Sequence, residues 1–418
     1  MPLFIYIFIY NCFIKIYTLA AYILSFKNTK AKYFVTGRQN IFSQIQLQLK
    51  DNPYKKTIWI HCASLGEFEQ AKPIIEYLYK EGKQFIALSF FSPSGYEVSK
   101  KYPFANAIFY LPLDTKKNAI QLLQIVRPSL IIFIKYEFWF HYLTQAKQLQ
   151  IPILLACGVF RKNQPFFKWY NTLHLTMLRC FNQILVQNPN SKQLLNNIKF
   201  SNVVITGDTR FDRVLKIANE PFSNQIIENF IQQRDCIIAG STWLNDELAL
   251  QNFINKNNHV VAIIAPHHVD TESIEKTKKI FPTSVLYSSI LQSPNQHYNS
   301  HILIIDTIGL LNKLYRYATI CFIGGGFGKD GVHNVLEASV YGKPIVIGPV
   351  YEKYNEVVDL VRNNAIKVIE NENVLELITT ELFSNKDEQI KMGRLAYTYT
   401  IANAGAINKT IDAIKNFI

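Results

Sequence analysis

From residue 57 onward, short continuous runs of Ile, Val, Leu and Phe alternate with longer stretches that have helical periodicity. Continuous apolar runs are typical of strands that are covered on both faces. Since helical stretches separate the strands, we expect parallel sheets in an α/β fold. The predicted strands are Thr57–His61, Phe85–Phe90, Ala107–Leu111, Leu130–Lys135, Ile153–Ala156, Ile184–Val186, Val203–Thr206, Cys236–Ala239, Val260–Ala265, Ser284–Tyr287, Ile302–Ile305, Ile320–Ile323, Pro344–Ile347 and Ala365–Val368.

A polar stretch, residues 217–234, separates the strands into two series. A chain of 418 residues is also long for a single core. We therefore predict two Rossmann-like domains facing a cleft, with ligands at the carboxyl ends of strands. The expected divisions are 1–26 for a membrane anchor, 27–208 for an acceptor-binding domain and 209–418 for a nucleotide-sugar domain, whose last helix can cross back to the first domain.

The segment Leu3–Phe26 is long and apolar and contains one charged residue, Lys15. Its length predicts a membrane anchor that either spans the bilayer or lies in its interface. An amphipathic or buried helix is the alternative, which Lys15 and Asn11 leave open. Basic residues follow the segment at Lys27, Lys30, Lys32 and Arg38. By the positive-inside rule, the rest of the chain is expected on the cytoplasmic side.

The composition favours a folded, basic protein. Hydrophobic residues make up 49% of the chain, and 44 Lys and Arg outnumber 31 Asp and Glu. The positive charge is suited to anionic lipid, phosphorylated ligands or nucleic acid. No recognition-helix, zinc-finger or RNP pattern supports a nucleic-acid partner. The six cysteines have no zinc-ligand spacing, so we predict buried free thiols and no metal site.

The stretch "HCASLGE" places Glu67 just after the first strand, at the start of an amphipathic helix. A carboxylate at this position stabilises the helix N-terminus by interacting with the helix dipole. The same position lies at the carboxyl end of a strand, where open α/β sheets bind ligands. The residues by themselves fit both a helix cap and a catalytic base.

In the second half, "FIGGGFGKDGVHNVLEASVYGKPIVIGP" predicts a strand, a glycine turn and a helix. At Gly324, Gly325 and Gly326 the absent side chains allow backbone amides to approach an anion. Asn334 and Glu337 lie at the start of the following helix, where a carboxylate can accept hydrogen bonds from ribose hydroxyls. An ordinary glycine turn with Asn334 as N-cap is the alternative.

Two further motifs end predicted strands in the same half. In "AGSTWLNDE", Ser241 and Thr242 can donate hydrogen bonds to a phosphate or cap a helix. In "IAPHHVD", His267 and His268 can contact a phosphate or a ribose.

Together, "HCASLGE", "KYEFW", "GVFRKNQPFFKWY", "GDTRFD", "GSTWLNDE", "APHH", "DTIGLLNKLY" and "GGGFGKDGVHNVLEA" resemble the 3-deoxy-D-manno-octulosonic acid (Kdo) transferases of Gram-negative bacteria. The resemblance extends over almost the whole chain, with the motifs in family order. It implies a GT-B glycosyltransferase that inverts the anomeric centre without a metal or cofactor. It also implies CMP-Kdo as donor, the lipid A precursor (lipid IVA) as acceptor, and the cytoplasmic face of the inner membrane as location.

The resemblance assigns roles to individual residues. Glu67 matches the catalytic proton acceptor, and Arg210 of "GDTRFD" matches a residue that stabilises charge on the leaving phosphate. Arg210 paired with Asp208 or Asp212 is the alternative. Residues that match CMP contacts are Pro266, His267, Ile308, Gly309, Leu310, Asn334, Val335, Leu336 and Glu337. Many relatives carry arginine in place of His267 and an acidic residue in place of Leu310, so this chain departs from the family pattern at these two side chains.

Glu137 of "IKYEFWF" matches a family carboxylate, although many relatives carry a second acid where this chain has Lys135. In "FRKNQPFFKWY", Arg161 and Lys162 stand beside aromatic residues. This mixture suits either a phosphorylated glycolipid at a membrane or packing within the domain.

Two other functions remain as alternatives. One is a GT-B transferase that uses a UDP-sugar and a lipid-linked acceptor. The other is a non-catalytic, membrane-associated protein that binds a nucleotide. No obligate protein partner is expected in any of these cases.

Overall fold

The structure, a computed structural model, describes residues 2–50, 52–54, 56–135, 138–293 and 298–418. It divides into two compact units. Unit 1 comprises Met1–Asp212 and Ala404–Ile418, and unit 2 comprises Arg213–Asn403. Each unit contains one seven-stranded sheet in which every strand pairing is parallel. Each of the predicted strands is present, with ends that differ by up to three residues.

The sheet of unit 1 has the strand order β3-β2-β1-β4-β5-β6-β7. Its central strands are buried along their whole length, which explains their continuous apolar sequences. The strands are β1 (Thr57–Cys62), β2 (Phe85–Phe90), β3 (Ala107–Tyr110), β4 (Leu130–Ile134), β5 (Ile153–Gly158), β6 (Gln183–Val186) and β7 (Val203–Ile205).

Helices cover both faces of this sheet. In chain order they are α1 (Leu3–Leu24), α2 (Thr29–Thr36), α3 (Ile41–Leu49), α4 (Leu65–Glu81), α5 (Pro93–Ser99), α6 (Lys116–Val126), α7 (Phe140–Gln148), α8 (Thr172–Leu178), α9 (Pro189–Asn197) and α10 (Thr209–Asn219), with a 3₁₀ turn at Pro165–Phe167. One apolar cluster packs Trp59 and Phe133 beneath α3, α6 and α7, and a second packs Ile58 and Ile60 against α4.

The sheet of unit 2 has the order β10-β11-β9-β8-β12-β13-β14. Its strands are β8 (Cys236–Thr242), β9 (Val261–Pro266), β10 (Val285–Leu286), β11 (Ile302–Ile304), β12 (Ile320–Ile323), β13 (Ile345–Ile347) and β14 (Ile366–Val368). Its helices are α11 (Gln225–Ile231), α12 (Leu244–Lys256), α13 (Thr271–Ile280), α14 (Tyr287–Gln292), α15 (Leu311–Leu314), α16 (Leu336–Ser339), α17 (Asn355–Arg362), α18 (Glu372–Ser384) and α19 (Lys386–Ala402), with a 3₁₀ turn at Tyr315–Tyr317.

The chain passes from unit 1 to unit 2 within α10 and returns to unit 1 after Asn403. The final helix, α20 (Ala406–Lys415), packs on α4 of unit 1. Asp212 fixes the start of this helix, because its carboxylate accepts hydrogen bonds from the backbone N–H groups of Gly405 (2.8 Å) and Ala406 (3.0 Å). This contact makes Asp212 a structural residue of unit 1.

The strand order reverses at one point in each sheet. In unit 1 this switch point lies between β1 and β4, and in unit 2 it lies between β8 and β12. Ligands of open α/β sheets bind beyond the carboxyl ends of the strands at such a point. The loops after β1, β4, β8 and β12 are therefore where a site is expected.

Backbone strain marks the same edges. Lys135 follows β4 with φ of 66°, Cys157 lies near the end of β5 with φ of 59°, and Ser241 lies near the end of β8 with φ of 53°. Residues other than glycine rarely adopt this left-handed conformation, and such strain is concentrated at functional sites. These positions support a site at the carboxyl edge of each sheet.

Candidate active site

Glu67 is buried at the third position of α4, directly beyond the carboxyl end of β1. One carboxylate oxygen, Oε2, accepts hydrogen bonds from the backbone N–H groups of Ala63 (2.6 Å) and Ser64 (3.1 Å). These bonds satisfy backbone donors at the turn into α4 and fix the carboxylate at the switch point. Glu67 thus caps the helix, and its position at the switch point also allows it to act as a catalytic base.

The ammonium group of Lys135 interacts electrostatically with three nearby charged groups, those of Arg210, Asp208 and Glu67. Burial, followed by the charge of Arg210, lowers the pKa of the Lys135 ammonium, while Asp208 and Glu67 act in the opposite direction. The end of β4 therefore brings a cation to the neighbourhood of Glu67. This arrangement follows from the pairing of β4 with β1.

Arg210 forms an ion pair with Asp208. Its Nε and Nη2 atoms donate to Asp208 Oδ2 at 2.9 and 2.6 Å, and its backbone N–H donates to Asp208 Oδ1 at 2.9 Å. Of the two partners considered from the sequence, Asp208 is the one used, because Asp212 caps α20. The pair holds the guanidinium rigidly at the start of α10.

Cys157 and Thr209 lie behind this cluster. Burial raises the pKa of the Cys157 thiol to about 12, so this cysteine is an inert packing group at neutral pH. Thr209 donates a hydrogen bond of 2.7 Å to the backbone carbonyl of Gln70 and thereby ties α10 to α4. Glu137, the second predicted carboxylate, lies outside the described residues.

The basic, aromatic segment after β5 is only partly buried. Arg161 and Lys162 are exposed, Phe166 packs into the core, and Trp169 is 91% exposed. Beside it is a cavity of about 380 Å³. Its lining is mostly apolar and comprises Tyr10, Phe138, Trp139, Gln164, Pro165, Phe166, Leu173, His174 and Met177.

In unit 2 the three predicted glycines lie directly after β12, where backbone packs closely on backbone. A Cβ atom at Gly324 would lie 2.5 Å from the carbonyl oxygen of Ser241, and one at Gly326 would lie 2.6 Å from the backbone nitrogen of Gly348. The N–H of Gly325 donates to Asp246 at 2.8 Å. These glycines therefore serve loop packing, and the Gly325 amide already has a partner.

Asp246, at the start of α12, joins the loops after β8 and β12. Its carboxylate accepts hydrogen bonds from the backbone N–H groups of Trp243 (2.8 Å), Gly325 (2.8 Å) and Phe327 (3.3 Å). Thr242 is buried, and its hydroxyl donates to Glu247 at 2.8 Å. Ser241 lies next to it in the left-handed conformation described above.

Aromatic rings from three loops stack at this edge. His267 lies nearly parallel to Trp243 and His333, with ring-centre distances of 4.7 and 4.4 Å. Trp243 Nε1 donates to His333 Nε2 at 2.8 Å, which requires the His333 tautomer protonated on Nδ1. Partial burial, followed by His333, lowers the pKa of His267, although this residue keeps an exposed edge. The stack is therefore neutral at pH 7.

The remaining predicted donor residues lie around this stack. Pro266 pairs with Thr242 in the sheet, and the backbone N–H of His267 donates to the carbonyl of Thr242 at 2.9 Å. The loop with Ile308, Gly309 and Leu310 follows β11, and Ile308 is largely exposed.

The helix that was expected to begin at Asn334 is short. Only Leu336–Ser339 form α16, with Val335 as N-cap residue. Asn334 donates to Glu337 Oε1 at 3.2 Å, and burial raises the pKa of Glu337, partly offset by Asn334 and Arg213. A carboxylate held in this way can accept hydrogen bonds from a ribose.

Sequence reasoning missed Lys135 as a neighbour of Glu67 and missed the roles of Trp243, Asp246 and His333. Asp246 has a local signal, because an acidic residue in the first turn of a helix is typical of helix starts. The other contacts depend on which strands become neighbours.

Most of the chain is similar in sequence to known proteins. The family model for 3-deoxy-D-manno-octulosonic-acid transferase (kdotransferase) matches residues 37–213. A 3-deoxy-D-manno-octulosonic acid transferase of Rickettsia prowazekii is 25% identical over 408 residues, covering 94% of this chain and 87% of the relative. A bifunctional glycosyltransferase/methyltransferase of Fusobacterium nucleatum is 30% identical over 391 residues, covering 87% of this chain and 58% of that longer protein.

Among solved structures, UDP-GlcNAc 2-epimerase of Neisseria meningitidis, in a structure with UDP-GlcNAc bound, matches with a TM-score of 0.59. It is 16% identical, and the match covers 86% of this chain and 100% of the epimerase. The fold is thus the GT-B type with two Rossmann-like units. The relatives named as 3-deoxy-D-manno-octulosonic acid transferases, rather than this structural match, identify the protein as a glycosyltransferase. Over most of its length, the chain is similar to 3-deoxy-D-manno-octulosonic acid transferases.

Proposed function

We propose that this protein transfers Kdo from CMP-Kdo to a lipid acceptor, the lipid A precursor, with inversion at the anomeric carbon. The observation that carries the proposal is Glu67, a buried carboxylate fixed by two backbone hydrogen bonds at the switch point of unit 1. Similarity to 3-deoxy-D-manno-octulosonic acid transferases supports the choice of sugar.

Glu67 acts as the general base in the proposed reaction. The acceptor hydroxyl oxygen forms a bond with the anomeric carbon as the bond from that carbon to the CMP phosphate breaks. Glu67 takes the hydroxyl proton, and CMP leaves with the bonding electron pair. Because an inverting displacement occurs in one step, one base is sufficient.

Charge that develops on the departing phosphate requires cationic or hydrogen-bonding partners. Arg210 is assigned this role because its guanidinium is held rigidly by Asp208. Lys135 is a second cation near Glu67, at a strained backbone position that is typical of functional residues. Glu137 is assigned a further catalytic role because it matches a carboxylate of the Kdo transferases.

The donor nucleotide is assigned to the carboxyl edge of unit 2. Ser241 and Thr242 end β8, Pro266 and His267 end β9, and the strained backbone at Ser241 supports a site here. The other proposed donor contacts are Ile308, Gly309, Leu310, Gly325, Gly326, Asn334, Val335, Leu336 and Glu337. Glu337 is suited to the ribose hydroxyls, since Asn334 fixes one of its oxygens.

The acceptor is assigned to unit 1. Arg161 and Lys162 are exposed cations that can bind phosphate groups of a glycolipid. The apolar cavity of about 380 Å³ beside this segment is suited to part of an acyl chain. One helix, Leu3–Leu24, has the length and apolar composition of a membrane segment. We therefore place the protein at the inner membrane, with both units on the cytoplasmic side.

The test is nucleotide release by purified protein in detergent, with CMP-Kdo or a panel of UDP-sugars as donor and the lipid A precursor as acceptor. We expect CMP release that depends on the acceptor, with no UDP release. NMR of the glycolipid product is expected to give the anomeric configuration opposite to that of the donor. Acceptor-dependent UDP release would contradict the choice of donor, and nucleotide binding without turnover would contradict the transferase function.

A further inference from the structure

The apolar helix α1 lies along unit 1 for most of its length. Leu3, Tyr6, Ile7 and Tyr10 pack against the core cluster of this unit. One turn later Ile14 is buried, and the ring of Tyr17 lies 5.6 Å from that of Phe34. The inward residues recur every three or four positions, so a single face of the helix is attached to the protein.

Two polar contacts fix the middle of this helix. Tyr10 donates a hydrogen bond of 2.5 Å to Asp114, which is buried and also accepts from the backbone of His141 and Tyr142. Asn11 lies 2.7 Å from the imidazole Nε2 of His141. Asn11, one of the two polar residues that left a buried helix open as an alternative, therefore binds the protein itself.

The opposite face of α1 is apolar and exposed. Its large hydrophobic side chains are each more than half exposed and comprise Phe4, Phe8, Ile9, Phe13, Ile16, Leu19, Tyr22, Ile23 and Leu24. Basic residues at Lys15, Lys27, Lys30 and Lys32 are also exposed. Apolar side chains bordered by lysines are typical of a helix that lies in the interface of an anionic membrane.

A transmembrane orientation conflicts with these contacts. The helix is about 33 Å long, close to the roughly 30 Å thickness of the hydrocarbon layer. Tyr10 and Asn11 would then lie near the middle of the bilayer, and their partners Asp114 and His141 would lie there with the surrounding fold. Polar backbone and loops are not tolerated in contact with lipid.

From this geometry we infer that α1 lies in the plane of the membrane interface and that unit 1 rests on a single anionic leaflet without crossing it. The inference rests on the membrane location in the proposed function and specifies how that location is reached. The exposed face of α1 enters the leaflet, and its lysines contact the headgroups.

The first test determines on which side of the membrane the N-terminus lies. A Pro2→Cys variant is made in a Cys12→Ser background, since the other five cysteines are buried. A companion Asp387→Cys variant marks the exposed surface of unit 2. Each variant is treated with a membrane-impermeant maleimide in spheroplasts and in inside-out vesicles from the same cells.

We expect both variants to react in inside-out vesicles and neither to react in spheroplasts. Reaction of the Pro2→Cys variant in spheroplasts, with Asp387→Cys reacting in inside-out vesicles, would overturn the inference and establish a spanning helix. Protein that is absent from both membrane preparations would contradict this inference and the membrane location together. In that case, CMP release in detergent would still test the transferase activity, independently of the membrane location.

A second test measures partition of the protein onto vesicles of phosphatidylethanolamine and phosphatidylglycerol. Phe8→Ser combined with Phe13→Ser is expected to weaken binding at least about tenfold, since each ring leaves water on binding. Leu377→Ser removes an equally exposed apolar side chain from α18 of unit 2 and is the matched control. Unchanged binding of the double variant, or equal loss in the control, would overturn the inference.

Discussion

Gly326 and Gly348 face each other across the loops that follow β12 and β13. A Cβ atom at Gly326 would lie 2.6 Å from the nitrogen and 2.7 Å from the Cα atom of Gly348. Both neighbours belong to the backbone, so no flexible side chain can move aside. The Gly326→Ala variant therefore forces the two loops apart.

Overpacking of this kind typically costs about 1–3 kcal/mol. For a unit of this size, each kcal/mol shifts the melting temperature by roughly 2–4 °C. We expect the Gly326→Ala variant to melt about 2–12 °C below the wild type. Since this loop lies in the proposed donor site, we also expect CMP to raise the melting temperature of the variant less than that of the wild type.

Gly328→Ala is the control in the same loop, because the nearest atom to its added Cβ would be the carbonyl oxygen of Gly325 at 3.3 Å. Differential scanning calorimetry with and without CMP compares the three proteins. Close packing of Gly326 on Gly348 would be refuted as a source of stability if Gly326→Ala had the melting temperature of the wild type, or if both variants lost equal stability.

Three further predictions concern single side chains. Burial raises the pKa of Asp114 to about 6, so the folded state binds its proton more tightly than the unfolded state and loses stability as pH rises from about 4 to about 6. The Asp114→Asn variant should not show this loss. Its melting temperature minus that of the wild type should therefore increase as pH rises from about 4 to about 6, and a constant difference would contradict the raised pKa of Asp114. His267→Arg should tighten CMP binding several-fold and make it more sensitive to salt in calorimetric titrations, and unchanged affinity would place this residue outside the phosphate site. Lys135→Gln should lower kcat by roughly 10- to 100-fold with intact folding, and an unchanged kcat would exclude a role in charge stabilisation.

The strands were predictable because short, continuous apolar runs between helical stretches are typical of buried parallel strands. Cys236–Ala239, for example, forms the first four residues of β8, and the strand continues through Ser241 to Thr242. Polar residues at its end continue the sheet, so the hydrophobic pattern alone marks the boundary too early. Conversely, the helix expected after Asn334 is only Leu336–Ser339, and the residues before it are held by backbone hydrogen bonds from Val332 to Val350 and from His333 to Gly324.

The candidate site was only partly predictable. Glu67 was recognisable because it directly follows a strand, and the structure adds its hydrogen bonds to Ala63 and Ser64. Lys135 comes near Glu67 because β4, rather than β3, pairs with β1. The ring stack of Trp243, His267 and His333 requires three loops that are distant in sequence. Such contacts follow from strand order, which local sequence patterns do not specify.

The most direct test of the account compares wild type, Glu67→Gln and Glu69→Gln in release of CMP from CMP-Kdo with the lipid A precursor. Glu69 lies on the same helix and pairs with Lys72, so its variant is a matched control. We predict that Glu67→Gln folds and binds CMP but loses at least about 100-fold in kcat, whereas Glu69→Gln keeps wild-type turnover. Wild-type turnover in the Glu67→Gln variant would contradict the central claim and leave Glu67 as a helix cap.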